Sequence, residues 1–299
     1  MPVVDELPLD YDATLYRSLH SDLASMNDSR LANHYRLHGR REGRRAHSLS
    51  NRNEFAALAM TGRALEIGPF ANPLLAGPNV SYADIDSTEE LRKLAVQEQL
   101  DPNGVPNIDW VVQPNDLGVI KDTFDTALSS HSIEHQPNLV GHLRQVSQLL
   151  VAGGRYFLLI PDHRYCFDHF KAPSTIVDVL DAYARNVTLH DPRSLIISRL
   201  RMTHNDSIRH WNGDHGEVDV NPWYPELDRI ARLRLALDGA LYDPAKLRNE
   251  HAWFFTPETF DGIFADLVAL ELTNFRLERL YPTMRNANEF WAVLRKSGG

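Results

Sequence analysis

From about residue 51 onward, short apolar runs alternate with segments of helical periodicity, and this alternation narrows the possible folds more than any other feature. Ala64–Ile67, Val80–Ile85, Ile108–Val112, Phe124–Leu128 and Tyr156–Ile160 read as strands of a buried sheet. Asn51 and Glu54 form a capping-box-like pair before Phe55, Ala56, Leu58 and Ala59, with Gly62 as terminator. Ser87-Thr88-Glu89-Glu90 opens a helix through Leu91, Leu94 and Ala95. Asn138 caps a helix carrying Leu139, Leu143, Val146, Leu149 and Leu150, which Gly153-Gly154 is expected to stop. Strands that alternate with helices build right-handed βαβ units and a parallel sheet. After Pro161 the alternation lapses as far as about Glu250, leaving helix-like stretches at 175–185, 192–202 and 224–239 among histidine-rich loops. It resumes at Thr256-Pro257-Glu258, a helix start leading to Phe260, Ile263, Phe264 and Leu267. Leu272–Leu280 and Glu289–Leu294 then read as two closing strands.

The first 50 residues follow another pattern. Asp12 caps a helix with Leu15, Tyr16, Leu19 and Leu23; Asn27-Asp28-Ser29 starts a second with Leu31, Tyr35 and Leu37, ending near Gly39. Six arginines (30, 36, 40, 41, 44 and 45) face one acid, Glu42, before His47. This basic end is either a solvated face or a docking module for an anionic partner or glycan. Two short helices bury little, so the hairpin is expected to lean on the main domain or on another chain.

Composition excludes several classes. The 40 acidic against 31 basic residues give a net charge of −9, which speaks against a global phosphate-binding surface and hence against nucleic acid. The single cysteine, Cys166, forms no intrachain disulfide and builds no cysteine zinc site. The opening MPVVDELPLD has no signal-peptide apolar region, and the apolar runs are too short to span a bilayer. A soluble, cytoplasmic protein is the expectation.

In an open parallel sheet, ligands bind beyond the carboxyl ends of the strands. Here those ends are Glu66-Ile67-Gly68, Asp84, Asn115-Asp116, Ser129-Ser130-His131 and Asp162-His163. The first βα turn, LEIGPFANP, lets a ligand approach Gly68, but Phe70 and Ala71 stand where a dinucleotide fingerprint needs glycine. A pyrophosphate cradle is poorly supported, and a nucleoside ligand without phosphates fits better. Glu66 can accept from a ligand ammonium, and Asp84, 18 residues later, is placed for a ribose diol.

The segments LEIGPFANP, VSYADID, FDTALSSHSIEH and LLVAGGRYFLLIPDHRYCFDHF resemble the motifs of class I S-adenosylmethionine-dependent methyltransferases. They are similar in particular to a bacterial branch with a PDxRYxFD signature, often found with polysaccharide-assembly genes. The resemblance implies an α/β, Rossmann-like fold over residues 51–299: a mostly parallel seven-stranded sheet, helices on both faces, and a substrate-covering insertion at 162–250. Residues 1–50 would be a separate helical appendage; their DYDATLYRSLHSDLA…ANHYRLHGRREGR resembles a short module found beside bacterial glycosyltransferases. The resemblance implies S-adenosylmethionine as cofactor, with Glu66 and Gly68 at its methionine end and Asp84 on the ribose. Asn115, Asp116 and Leu117 would lie by the adenine, and Ser130 and His131 beneath the sulfonium. Phe70 replaces the second glycine of the usual turn, which leaves the amides after Gly68 and the Asn72 side chain as candidates for the methionine carboxylate.

The chain is rich in histidine. His131-Ser132-Ile133-Glu134-His135 has the spacing of an inverted zinc-protease string, but it follows a strand directly and Pro137 blocks a helix. A strand-to-loop turn, with His135 bonded to a backbone partner, is one reading; contact with cofactor or substrate is the other. PDHRYCFDHF, HNDSIRHWNGDHGE and His251-Ala252-Trp253 add further clusters, and Trp211 beside Gly213 suits stacking on a sugar.

A sulfonium methyl is already activated, so an enzyme need only position it in line and deprotonate the acceptor. A sugar hydroxyl needs a base, for which histidine is suited near neutral pH, or a divalent ion such as Mg or Mn. His135, Asp162, His163, Asp214 and His215 are the candidates for base or metal-ligand roles, and Arg164, Tyr165, His210, Trp211 and His251 for substrate contact. The leading expectation is O-methylation of a sugar hydroxyl in a bacterial glycan pathway. The alternatives are an N- or O-methyltransferase of small metabolites, and a non-catalytic module that docks in a glycan-assembly complex.

Overall fold

A computed structural model describes residues 7, 11–113, 116–242 and 250–298. Seven strands form one sheet: β1 (Ala64–Ile67), β2 (Val80–Asp84), β3 (Trp110–Val111), β4 (Phe124–Ser130), β5 (Leu150–Pro161), β6 (Phe275–Tyr281) and β7 (Glu289–Lys296). Their spatial order is β3-β2-β1-β4-β5-β7-β6. The first five are mutually parallel, whereas β7 runs antiparallel to both β5 and β6. This is the mostly parallel, seven-stranded Rossmann-like sheet that the alternation and the motifs predict. The order reverses between β1 and β4, which puts the switch point, and with it the binding crevice, at the carboxyl ends of those two strands.

The period-2 pattern of β5 explains the layering. Tyr156, Leu158 and Ile160 face one core; Phe157 and Leu159 face the other. The first core is closed by α5 (Leu139–Leu149), α6 (Ile176–Ala184) and α10 (Pro257–Ala269), through residues such as Leu143, Val179 and Phe264. The second is closed by α3 (Arg52–Ala57), whose Phe55 ring stacks on Trp291 of β7. Each such fully buried side chain contributes roughly 2 kcal/mol relative to exposure. On α4 (Thr88–Gln97), Leu91 and Ala95 pack against Ala71 of the first turn, and the Ser87–Glu90 capping box forms as expected.

Two local expectations fail. Gly153-Gly154 does not stop α5. The chain turns directly into β5 at Leu150, where the register against β4 shifts, and the glycine pair lies inside that strand. Gly153 has φ +75°, and a Cβ on Gly154 would sit 3.0 Å from the Asp125 carbonyl, so here glycine permits a bulge and a close approach. The third strand shrinks to two residues.

The insertion after β5 contains α7 (Pro192–Arg201), a short α8 (Ser207–Trp211) that the periodicity does not reveal, and α9 (Arg229–Tyr242). In the N-terminal segment, α1 (Ala13–Leu19) and α2 (Asp28–His34) enclose Tyr16, Leu23, Leu31, Tyr35 and Ala46. The segment touches the rest of the chain where the Arg285 amide donates to the Gly43 carbonyl and where His47 packs on Tyr281 and Trp291. Arg44 is paired with Asp22 and Glu42, so part of the arginine-rich end is neutralised internally. No helix among the described residues is long and apolar enough to cross a membrane.

Candidate functional site

The turn after β1 is held open from both sides by buried carboxylates. Glu66 is 1% exposed; its oxygens accept from the amides of Leu74 (2.9 Å) and Leu75 (2.9 Å), curling the chain back over the strand end. Asp84, at the end of β2, accepts from the amide of Ile85 (2.7 Å) and more weakly from that of Phe70 (3.4 Å). Burial pushes the Glu66 carboxyl up to about 7 and the Asp84 carboxyl up to about 6, against the pull of these amides. Gly68 (φ +73°) and Phe70 (φ +44°) are both left-handed, so Phe70 achieves with strain what glycine achieves at the position two residues earlier. Asn72 is exposed on this turn. Asp116 is exposed and caps the Gly118 amide (2.8 Å). Leu117 is turned into the core, so a ligand beside it would meet backbone and not the expected side chain. Asn115 lies outside the described residues.

Across the switch point, Ser130 ends β4 and His131 follows with φ +49°. His131 Nε2 donates to Glu289 Oε2 (2.8 Å), and Arg52 reaches both the Ser130 hydroxyl (2.5 Å) and Glu289 (3.5 Å). Burial would raise the Glu289 carboxyl, but the His131 bond and Arg52 outweigh it and hold it below its ordinary value. Sequence reasoning missed Arg52 and Glu289. Each stands at the start of its element, and only the sheet order brings them to the carboxyl edge.

Beyond β5 the structure reassigns several candidates. Asp162 is completely buried and accepts from Arg164 through both oxygens (2.9 and 2.6 Å) and from the Thr283 hydroxyl (2.6 Å). It orients Arg164 and is not exposed to a ligand as a base or metal donor. Arg164 also pairs with Glu258 (3.6 Å), so its charge is already matched. The Tyr165 ring stacks on Trp211 at 4.0 Å and 7°, and Trp211 Nε1 donates to the Ala287 carbonyl. One face of Trp211 is therefore taken by a protein ring and not by a sugar. His163 is buried with no hydrogen-bond partner at Nδ1, and desolvation lowers its pKa, which keeps the imidazole neutral.

The histidines form two groups. In the first, His251 Nδ1 donates to Asp168 Oδ2 (2.5 Å), and Asp168 is also paired with buried Lys171 (2.6 Å). His135 donates from Nδ1 to the Glu250 carbonyl, the kind of backbone partner expected for it, and its ring meets that of His251 edge to face. His251 is thus bound within the protein and not presented to a substrate. In the second, His169 stacks on His215 at 3.8 Å, and His210 Nδ1 lies 3.1 Å from His215 Nδ1 while its Nε2 donates to the His204 carbonyl. Asp214 faces solvent and pairs with Arg209 (2.7 Å), so it does not join His215 in a shared base.

No protein-family model matches the chain, and no curated protein matches it. Solved structures similar to it include the mitomycin 7-O-methyltransferase MmcR, at 13% identity and TM-score 0.38, over 93% of this chain and 60% of that one. The CcbJ methyltransferase from Streptomyces caelestis aligns at 12% identity and TM-score 0.36, over 87% of this chain and 95% of that one. The glycopeptide N-methyltransferase MtfA, complexed with S-adenosyl-L-homocysteine, aligns at 21% identity and TM-score 0.29, over 36% of this chain and 47% of that one. The chain therefore spans about 60% of the first of these and 47% of the last. With TM-scores this low, the fold rests on strand order and register, and the function on the site itself.

Proposed function

We propose that the protein is an S-adenosylmethionine-dependent methyltransferase that methylates a sugar hydroxyl in a bacterial glycan pathway. The observation that carries the cofactor reading is Asp84, a buried carboxylate at the tip of β2, touching the amide of Phe70 in the left-handed turn after β1 at the switch point. That pairing suits a ligand with a diol at one end and a compact polar group at the other. The residues present fit such a group: a glycine without side chain lines the turn, and two carboxylates flank it.

In this reading Asp84 accepts from both ribose hydroxyls. The one acceptor position that Glu66 has left over from its three amide contacts faces the ammonium. The amides after Gly68, with Asn72, hold the carboxylate; Asp116 and the backbone at Leu117 flank the adenine. Ser130 and His131 form the floor, fixed by Arg52 and Glu289. The bound cofactor supplies a methyl group on a sulfonium, already electrophilic. His163, which burial keeps neutral, takes the proton of the acceptor hydroxyl in this reading. Trp211, partly exposed and backed by Tyr165, offers aromatic surface for a sugar ring.

The test is mass spectrometry of oligosaccharides and nucleotide sugars incubated with the protein and labelled methyl donor, beside calorimetric titration with S-adenosylhomocysteine. A gain of one methyl on a sugar oxygen, lost in His163→Ala while cofactor binding persists, is the expected result. Methyl gain only on amines, or on non-sugar metabolites, overturns the acceptor. Folded protein that binds no cofactor overturns the whole reading in favour of a non-catalytic module.

A further inference from the structure

The loop after β4 and the segment that closes the insertion bring three lone pairs to one point that the proposed chemistry leaves unused. Glu134 Oε1 lies 3.9 Å from His135 Nε2 and 3.8 Å from His251 Nε2. Glu134 is 0% exposed, and neither of its carboxylate oxygens has a hydrogen-bond partner. A buried carboxylate left in this state is costly unless something charged completes it.

The tautomers point the same way. His135 uses Nδ1–H on the Glu250 carbonyl (3.2 Å), and His251 uses Nδ1–H on Asp168 (2.5 Å). Each imidazole, when neutral, then presents a bare Nε2 lone pair to Glu134. A proton on Glu134 does not satisfy the group, because contacts of 3.8 and 3.9 Å are beyond hydrogen-bond range. Two imidazole nitrogens and one carboxylate oxygen, each imidazole anchored through its other nitrogen, are instead the donor set and outer support of a metal centre.

We propose that Glu134, His135 and His251 bind a divalent cation of the zinc class, with Asp168 as the outer carboxylate that orients His251. Ligand bonds of about 2.0–2.2 Å around a tetrahedral ion need ligand atoms about 3.4 Å apart. The two spacings to Glu134, 3.9 and 3.8 Å, exceed that by a few tenths of an ångström, and all three ligand atoms lie within 4.8 Å of one another. The frame is already fixed: the amides of Ala252 (2.7 Å) and Trp253 (3.2 Å) donate to the Glu134 carbonyl, and Trp253 Nε1 donates to the Gln136 carbonyl (2.6 Å). The His135 side chain is 30% exposed, so the fourth position opens toward solvent on its side, where a water completes the shell. Paired imidazoles select Zn²⁺ or Co²⁺ over Mg²⁺, which prefers oxygen ligands throughout. The site shares the loop after β4 with Ser130 and His131, but its three ligands have no role in the proposed methyl transfer, so metal binding is tested apart from that reading.

Full-length protein, stripped with chelator and exchanged into metal-free buffer without cofactor, is titrated with Zn²⁺ by calorimetry and with Co²⁺ by visible absorption. One site per chain is expected, with the intense Co²⁺ band of four-coordinate geometry and no competition from Mg²⁺. Glu134→Gln, nearly isosteric, and His135→Ala each weaken binding by at least about 100-fold, and Asp168→Asn by about 10–100-fold. His210→Ala, in the separate His169–His210–His215 group, leaves the affinity unchanged. The proposal is overturned if wild-type protein binds neither ion, if folded Glu134→Gln binds like wild type, or if His210→Ala removes the band. Circular dichroism establishes that each variant is folded, and either Glu134→Gln or His135→Ala alone suffices for the decision.

Discussion

Gly68 and Ser132 meet where the turn after β1 abuts the loop after β4: a Cβ on Gly68 would lie 3.1 Å from the Ser132 hydroxyl oxygen. The glycine also sits at φ +73°, where a side chain is strained whatever the space. Gly68→Ala is expected to cost about 1–2 kcal/mol of stability and to weaken S-adenosylhomocysteine binding about tenfold or more. Thermal melts and calorimetry on one preparation measure both; unchanged affinity would separate this turn from the ligand.

The Asp84 carboxyl is raised to about 6 by burial, from an ordinary value of 3.8. A ligand diol donates to the ionised form, so binding releases a proton wherever the free site holds one. Affinity for S-adenosylhomocysteine is therefore expected to be flat above pH 6 and to fall by up to about tenfold per pH unit below it. Asp84→Asn should bind weakly with no such slope.

Glu66 carries a sign of its own. Its native carboxyl titrates near 7 against an ordinary 4.5, so the folded state holds a proton across that window which the unfolded chain has already lost. Its contribution to stability is present below pH 4.5 and declines as pH rises toward 7, by about 3 kcal/mol in all. Urea midpoints across this range should show that decline in wild type and a shallower one in Glu66→Gln, whatever the variant's absolute stability.

Lys171 and Asp168 form an ion pair with both side chains almost wholly buried. Lys171→Met keeps the aliphatic stem and removes the charge. The expected loss is about 3 kcal/mol, because an internal anion is left with His251 as its main partner. Urea unfolding measures it, and a neutral result would mean that His251 alone suffices.

The sheet was legible because its strands are apolar runs separated by capped helices, and Ser87, Asn138 and Thr256 cap as their spacing predicts. The glycine pair at 153–154 misled because the signal that ends a helix also marks a strand bulge. At the site, residues from one strand tip could be read together, whereas long-range partners could not. Glu289 lies 158 residues from His131, and His251 lies 83 from Asp168; neither separation leaves a periodic trace. Asp162 and Arg164, two residues apart, show the converse. Their chemistry suggested ligand contact, but the turn folds them onto each other before any ligand arrives.

The double amide contact from Ala252 and Trp253 onto the Glu134 carbonyl has a consequence for engineering. It stitches the exit of the insertion to the scaffold, so a chimaera that imports another protein's insertion has its natural seam just before His251. Cutting after Trp253 would discard the seam and the imidazole together, and would leave Glu134 facing a void.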